Sequence, residues 1–220
     1  MKKELGKSTL SDRWFALCMF VLRLALLNIL WWLGTAAGLI IFGIGPATAA
    51  ALAVLRQYIR GNHYYKSINI LRMFWNEYRE KFLQKALLGA GYAAIGAMLF
   101  VNFAAYQSFY LRVGFALTGF FYTVSLLYIG PVIVHFDCDS VIARLKASLI
   151  FGFTYLQYTL VMALMLAFAV VVVGMNYAAA LLFGVSAILY VNMWFCNKVF
   201  NLAELKRHDG ANEAQGKKEV

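Results

Sequence analysis

Reactive side chains crowd together at one place in the chain, His135-Phe136-Asp137-Cys138-Asp139, where an imidazole, a thiol and two carboxylates fall within five residues. A metal there needs further ligands, and the remaining histidines are His63 and His208. One imidazole and carboxylates packed this closely do not match a metal-ligand spacing. The segment reads instead as the polar end of a membrane span, with Asp139-Ser140 opening the next helix as a cap. Cys18, Cys138 and Cys196 are scattered without a CxxC pair and read as small packing residues. No phosphate-binding glycine loop, nucleophile elbow or HExxH motif occurs. We therefore expect no enzyme, no catalytic residues, no cofactor and no metal.

Charge inside the apolar segments is the next place to look for chemistry. Arg23 is the one clear charge within a span. It reads either as a cation facing the bundle interior, paired with Asp137 or holding an anionic ligand, or as a side chain about 12–14 Å from the cytosolic edge that snorkels to headgroups. All ten acidic residues, from Glu4 to Glu219, lie outside the spans or at their margins. Ion-coupled transporters usually hold the coupling ion on an intramembrane carboxylate, so an ion-coupled pump is disfavoured. Asn28, Asn102, Gln157 and Asn192 line a polar path or, as we favour, act as interhelical hydrogen-bonding glue.

The elements that must position these residues are membrane helices. With 63% hydrophobic and 14% charged residues and a mean hydropathy of +0.70, the chain lies outside the range of soluble domains. The run Trp14–Leu55 spans 42 residues, about 63 Å as a helix and twice the ~30 Å hydrocarbon core. It is too long for a signal h-region, and no small-residue cleavage site leads out of it. Two helices joined at Gly43-Ile44-Gly45-Pro46 satisfy it, with the glycines releasing the backbone and Pro46 starting the second helix. The expected spans are 14–42, 46–60, 84–105, 111–135, 147–173 and 176–199, with tight turns near Ala105–Leu111 and Gly174–Asn176.

Placing the N-terminus in the cytosol puts every basic cluster there, leaving Arg112 outside and Arg23 within the first span. The fold class is thus all-α: a polytopic transmembrane helical bundle of six spans with both termini cytosolic. Residues 1–13 form an N-terminal tail, 14–199 a single membrane domain with a cytosolic amphipathic segment at 61–85, and 200–220 a C-terminal tail. The net charge of +10 is a topology signal, and we expect no nucleic-acid partner.

Both prolines follow glycine, at Gly45-Pro46 and Gly130-Pro131, and Pro131 should kink or interrupt its span. Interrupted helices in two halves mark sites in some transporters, so Gly45, Pro46, Thr48, Gly130 and Pro131 join Arg23 as ligand or partner candidates. Small residues at four-residue spacing, such as Gly34/Gly38 and Ala86/Ala90/Ala94, predict close helix packing, with the alanine face of the second span against the glycines of the first. In Lys66–Phe82, Leu71, Phe74, Trp75, Tyr78 and Phe82 share one helical face, and Glu77 to Lys81 is a favourable i,i+4 pair. That helix suits the headgroup region of an anionic cytosolic leaflet, or a protein partner. Its candidate interface residues are Arg56, Arg60, Arg72, Phe74, Trp75 and Arg79.

The Trp-rich first span, then Ile44-Gly45-Pro46-Ala47-Thr48-Ala49-Ala50, then Leu52 to Arg56 and Arg60-Gly61, resembles the YesL-like family of bacterial membrane proteins. Phe74-Trp75, Phe82-Leu83-Gln84-Lys85 and the later Phe136-Asp137 fit the same pattern. The likeness covers roughly the whole chain but rests mostly on residues 44–61. One departure is Asn62-His63-Tyr64-Tyr65, where the family often carries acidic residues; that puts any role of an acidic loop in doubt. The family has no settled activity, and its members look associated with carbohydrate-uptake gene clusters in Gram-positive bacteria. The resemblance implies an accessory or scaffolding subunit in the bacterial plasma membrane, partnered by the permease and ATPase of a binding-protein-dependent sugar importer. Two alternatives stand beside it: a small-solute channel or facilitator, and a membrane sensor acting through the cytosolic segment. Self-association into a homo-oligomer is compatible with all three.

Overall fold

The computed structural model describes residues 10–61, 67–106, 108–135 and 141–216, and every element among them is α-helical. The helices are α1 (Leu10–Ala37), α2 (Ile41–Ile59), α3 (Ser67–Arg79), α4 (Phe82–Ala105), α5 (Phe109–His135), α6 (Val141–Thr154), α7 (Leu156–Gly174) and α8 (Tyr177–Gly216). Four of them, α1, α4, α5 and α8, are long and apolar enough to cross a membrane. The bent pair α6–α7 makes a fifth if it counts as one span. By length and composition the chain is a multi-pass membrane protein in contact with lipid. The short turns expected before Leu111 and at Gly174–Asn176 lie where the sequence puts them, joining α4 to α5 and α7 to α8.

The first turn is not where the glycines and proline suggest. It falls at Gly38-Leu39-Ile40, with Leu39 (φ 56°) and Ile40 (φ 64°) in the left-handed region. Gly43, Gly45 and Pro46 all lie inside α2. The glycines serve close approach instead of reversal. A Cβ on Gly43 would overlap the backbone of Thr35 on α1, and one on Gly45 the carbonyl of Lys85 on α4. Pro131 likewise sits within an uninterrupted α5, four residues from its end, so the expected interruption does not occur.

The centre of the bundle is α2, which packs against α1, α3, α4, α5 and α8. Its alanines Ala47, Ala49, Ala50, Ala51 and Ala53 are all buried. Small side chains let neighbouring backbones close on it from several sides, which is how helices pack where lipid provides no hydrophobic contrast. Gly34 of α1 faces Ala47, as the small-residue stripes predict.

The amphipathic helix α3 turns its apolar face inward against the protein. Ile70, Phe74 and Tyr78 join the core formed with α1 and α2, and the Tyr78 hydroxyl donates to the Gly34 carbonyl at 2.8 Å. Leu71 and Trp75 stay exposed, and Arg79 lies over the Trp75 ring at 5.5 Å.

One expected span, 147–173, is broken. α6 and α7 meet at Tyr155 with a bend of 95°, and the Thr159 hydroxyl donates to the Gly152 carbonyl at 2.9 Å across the break. α8 runs through the expected boundary at 199, its apolar stretch ending at Leu205 and its helix at Gly216.

Candidate functional site

The two Gly-Pro pairs, far apart in sequence, come to one place. Gly45, Thr48, Gly130 and Pro131 all line a cavity of about 410 Å³ between α2, α4, α5 and α8. The space exists because small residues face it: Gly45 and Gly89 bring α2 and α4 together, while Gly130 faces the Leu52 side chain. Its wall is mostly apolar, with Thr48, Lys85, Tyr92, Tyr122 and Asn192 as polar exceptions. Thr48 accepts a hydrogen bond from the Trp31 indole at 3.1 Å, which fixes its hydroxyl. Pro46 is fully buried in the helix packing and does not line the cavity.

Next to this cavity, at the α3 end of the bundle, lies a polar pocket of about 230 Å³. Its charged lining is Arg56, Lys81, Lys85 and Arg144 with Glu77 and Glu80. Lys85 is 8% exposed and sits 3.7 Å from the Glu77 carboxylate, while its ammonium also donates to the Glu77 carbonyl at 2.7 Å. The expected partner of Glu77 was Lys81, one helical turn on. That geometry does not exist, because α3 ends at Arg79 and Lys81 adopts a left-handed conformation (φ 49°). Arg56 donates to the Val134 carbonyl at 2.7 Å, satisfying one of the carbonyls that the last turn of α5 leaves open. Close by, His135 and Glu204 join α5 to α8 at 3.2 Å.

Other candidate residues lie apart from both cavities. Arg23 borders a small apolar cleft between α1 and α2, its guanidinium 5.7 Å from the centre of the Tyr58 ring. Its suggested partner Asp137, and the cap at Asp139-Ser140, lie outside the described residues, as does Cys138. Phe74, expected at an interface, is 0% exposed and belongs to the core. Arg60, Arg72, Trp75 and Arg79 are exposed at that end.

The polar residues within the spans bind helices to one another. Asn28 is fully buried, donates to the Leu181 carbonyl at 2.6 Å and accepts from the Ser186 amide at 3.2 Å. Tyr128 meets Thr159 at 2.9 Å, and Ser125 bridges Tyr92 at 2.6 Å and Ser148 at 3.1 Å. Asn192 accepts from the Cys196 thiol at 3.4 Å, a bond within α8 and not between helices. Asn102 only bonds its own helix, at Met98, and Gln157 is exposed. Lys85 and Arg144 escape sequence reasoning as site residues: each looks like an ordinary basic residue flanking a span. The signal for Lys85 was the small residue at Gly89, one turn on, which marks that face of α4 as a packed one.

A family model described as a protein of unknown function, DUF624, matches residues 24–103, the part of the chain that holds α2 and its contacts with α1 and α4. Similar proteins occur in Bacillus subtilis (strain 168). The uncharacterized protein YteU is 34% identical over 203 residues, covering 90% of this chain and 89% of its own. The uncharacterized protein YesV is 32% identical over 137 residues, 60% of this chain and 64% of its own. The uncharacterized protein YesL is 32% identical over 149 residues, 66% of this chain and 69% of its own. No solved structure matches.

Proposed function

The chain belongs to the YesL-like, DUF624 family, and from that premise we propose that it is a non-enzymatic accessory or scaffolding subunit of the bacterial plasma membrane. Its partners in this reading are the permease and ATPase of a binding-protein-dependent carbohydrate importer. The reading counts six crossings: the four long apolar helices, the bent pair α6–α7 taken as one, and α2. It places both termini and α3 in the cytosol, because Arg56, Arg60, Arg72 and Arg79 gather at that end.

The observation that carries the reading is what the interior polar groups do. Asn28, Ser125, Tyr128 and Thr159 are consumed in ties between helices, which holds a fixed shape and suits a scaffold. Polar groups arranged to pass a sugar would instead present their hydrogen-bonding atoms to a shared path. Arg60, Arg72 and Arg79 on the α3 end supply a surface for the partner or for anionic headgroups.

A mild-detergent pull-down of the tagged chain from its native membrane, with mass spectrometry of the co-purifying chains, tests the proposal. Stoichiometric recovery of importer permease and ATPase is the expected result, and recovery of this chain alone or only with itself overturns it. A second reading, a facilitator, draws on the meeting of Gly45, Thr48, Gly130 and Pro131 at one cavity. Uptake by proteoliposomes holding this chain alone would favour it.

A further inference from the structure

Two hydrogen-bond donors in the wall of the cavity between α2, α4, α5 and α8 have no acceptor among the described residues. Asn192 is 9% exposed, and its amide oxygen is taken by the Cys196 thiol of its own helix. Its amide nitrogen is left over. Thr48 accepts from the Trp31 indole, a group that only donates, so the threonine proton stays free. We propose that the cavity binds one uncharged lipophile with a carbonyl-bearing ring and a long apolar tail, the chemistry of an isoprenoid quinone. Thr48 and Asn192 donate to its carbonyl oxygens. The inference is independent of the importer reading and holds whether or not a protein partner exists.

Depth sets aside the ordinary lipids of the bilayer. The apolar stretch of α8 is Ala180–Leu205, and Asn192 stands twelve residues after its start and thirteen before its end. That is about 18–20 Å from either end along the helix axis, the middle of a ~30 Å hydrocarbon core. Headgroups, and the esters next to them, lie at the edges of that core. An amide donor without an acceptor is costly in hydrocarbon. A ligand that satisfies it must carry its acceptor oxygen to mid-membrane on an apolar body.

The other polar groups of the wall are already engaged. The Tyr122 hydroxyl donates to the Tyr92 carbonyl at 2.8 Å, the Tyr92 hydroxyl meets Ser125 at 2.6 Å, and Lys85 is held by Glu77. What remains is a pair of neutral donors in an apolar wall, which calls for acceptor oxygens and no charge. Thr48 belongs to α2 and Asn192 to α8. A ring with carbonyls on opposite edges offers one acceptor to each helix, which a single ketone or alcohol does not. A volume of about 410 Å³ is within the ordinary range of small-molecule sites, roughly 300–1,000 Å³.

Space for the tail adjoins the cavity. A groove of about 460 Å³ runs along the outer surface between α4 and α5 and shares Leu88, Tyr92 and Tyr122 with the inner cavity. Leu87, Ile95 and Phe121 continue it on the exposed surface. With the ring inside and the tail along this groove, the ligand enters sideways from the bilayer without crossing water.

Native mass spectrometry of the full chain in detergent tests the proposal, with three probes: a naphthoquinone with a tetraprenyl tail, the tetraprenyl hydrocarbon alone, and dioleoylglycerol. We expect the naphthoquinone to bind with a one-to-one stoichiometry, about tenfold tighter than either of the others, the difference expected for its carbonyl bonds. Asn192→Leu should weaken the naphthoquinone about tenfold and leave the hydrocarbon unchanged. Thr48→Val should act in the same direction. If either variant fails to fold, the other variant and the three probes on the unaltered chain still decide. Hydrocarbon bound as tightly as naphthoquinone marks a slot for any apolar chain and overturns the proposal. So does dioleoylglycerol bound as tightly, which marks a site for ester lipids, and so does a naphthoquinone that fails to bind or binds Asn192→Leu undiminished.

Discussion

Gly45 of α2 and Lys85 of α4 touch backbone to backbone: a Cβ on Gly45 would overlap the Lys85 carbonyl oxygen. The contact continues at Gly89, whose own Cβ would stand 2.7 Å from the Gly45 Cα. Here the two helices cross as closely as chains can, and the crossing sets both cavities, since Gly45 lines one and Lys85 lines both.

Gly45→Val should therefore force α2 from α4 and destabilise the protein by about 1–3 kcal/mol, the usual cost of overpacking. Gly91→Ala is the matched control. Nothing lies within 4 Å of a Cβ there, so the change should be neutral or stabilising by about 0.5–1 kcal/mol through helix propensity. Thermal melting of the two variants in one detergent separates close approach from a general intolerance of change.

Asn28→Leu removes the bonds to the Leu181 carbonyl and the Ser186 amide that tie α1 to α8. Polar ties between membrane helices average about 0.6 kcal/mol and reach about 1.7. Because two bonds are lost from one fully buried side chain, a loss near the upper figure is expected. Unfolding of reconstituted protein by a graded denaturing detergent measures it.

The bundle was legible in the sequence where a single force acts. Apolar runs longer than a bilayer gave α1, α4, α5 and α8, and the Glu- and Arg-bearing amphipathic stretch gave α3. The first turn was not legible, because Gly43 and Gly45 carry the strongest turn signal while the chain reverses at Leu39 and Ile40, two residues with no preference for a left-handed backbone. A glycine that admits another helix looks the same in sequence as one that turns the chain. The break at Tyr155 also lacks a proline or glycine of its own. At the site, the Gly-Pro pairs were picked out as helix breaks, and they line the cavity for a different reason, as small residues inside unbroken helices. Lys85 was hidden because its partner Glu77 lies across a helix end, where i,i+4 reasoning no longer applies.

Tyr78→Phe should cost about 1 kcal/mol, by loss of the hydrogen bond to the Gly34 carbonyl. It should also change the alkaline limb of stability. Burial raises the Tyr78 phenol above its ordinary value, so the folded chain keeps the proton that the unfolded chain releases near pH 10. The unaltered protein thus has this contribution in full below about pH 10 and loses it as pH rises through the higher folded value. The gap in melting temperature between the two proteins should narrow from about pH 8 to about pH 11.

Removing the two partners of the α3–α4 ion pair should have unequal effects. Lys85 is buried, whereas Glu77 keeps about a third of its side chain in contact with solvent, at 34% exposure. Glu77→Gln leaves an ammonium buried with its nearest counter-charge gone, and breaking a buried pair from one side costs more than the pair contributes. Lys85→Met leaves a carboxylate that rotates into water and a methionine that fits the apolar wall beside Ile133. We expect Glu77→Gln to cost about 1–2 kcal/mol, the lower part of the range for broken buried pairs because solvent reaches one side. Lys85→Met should cost less than half of that. The double variant should match Lys85→Met alone, since no buried charge is then stranded, and a double-mutant cycle on melting free energies reads the coupling directly. Equal single effects that simply add would mean that the pair is solvated and that α3 is held to the bundle by its apolar face, Ile70, Phe74 and Tyr78.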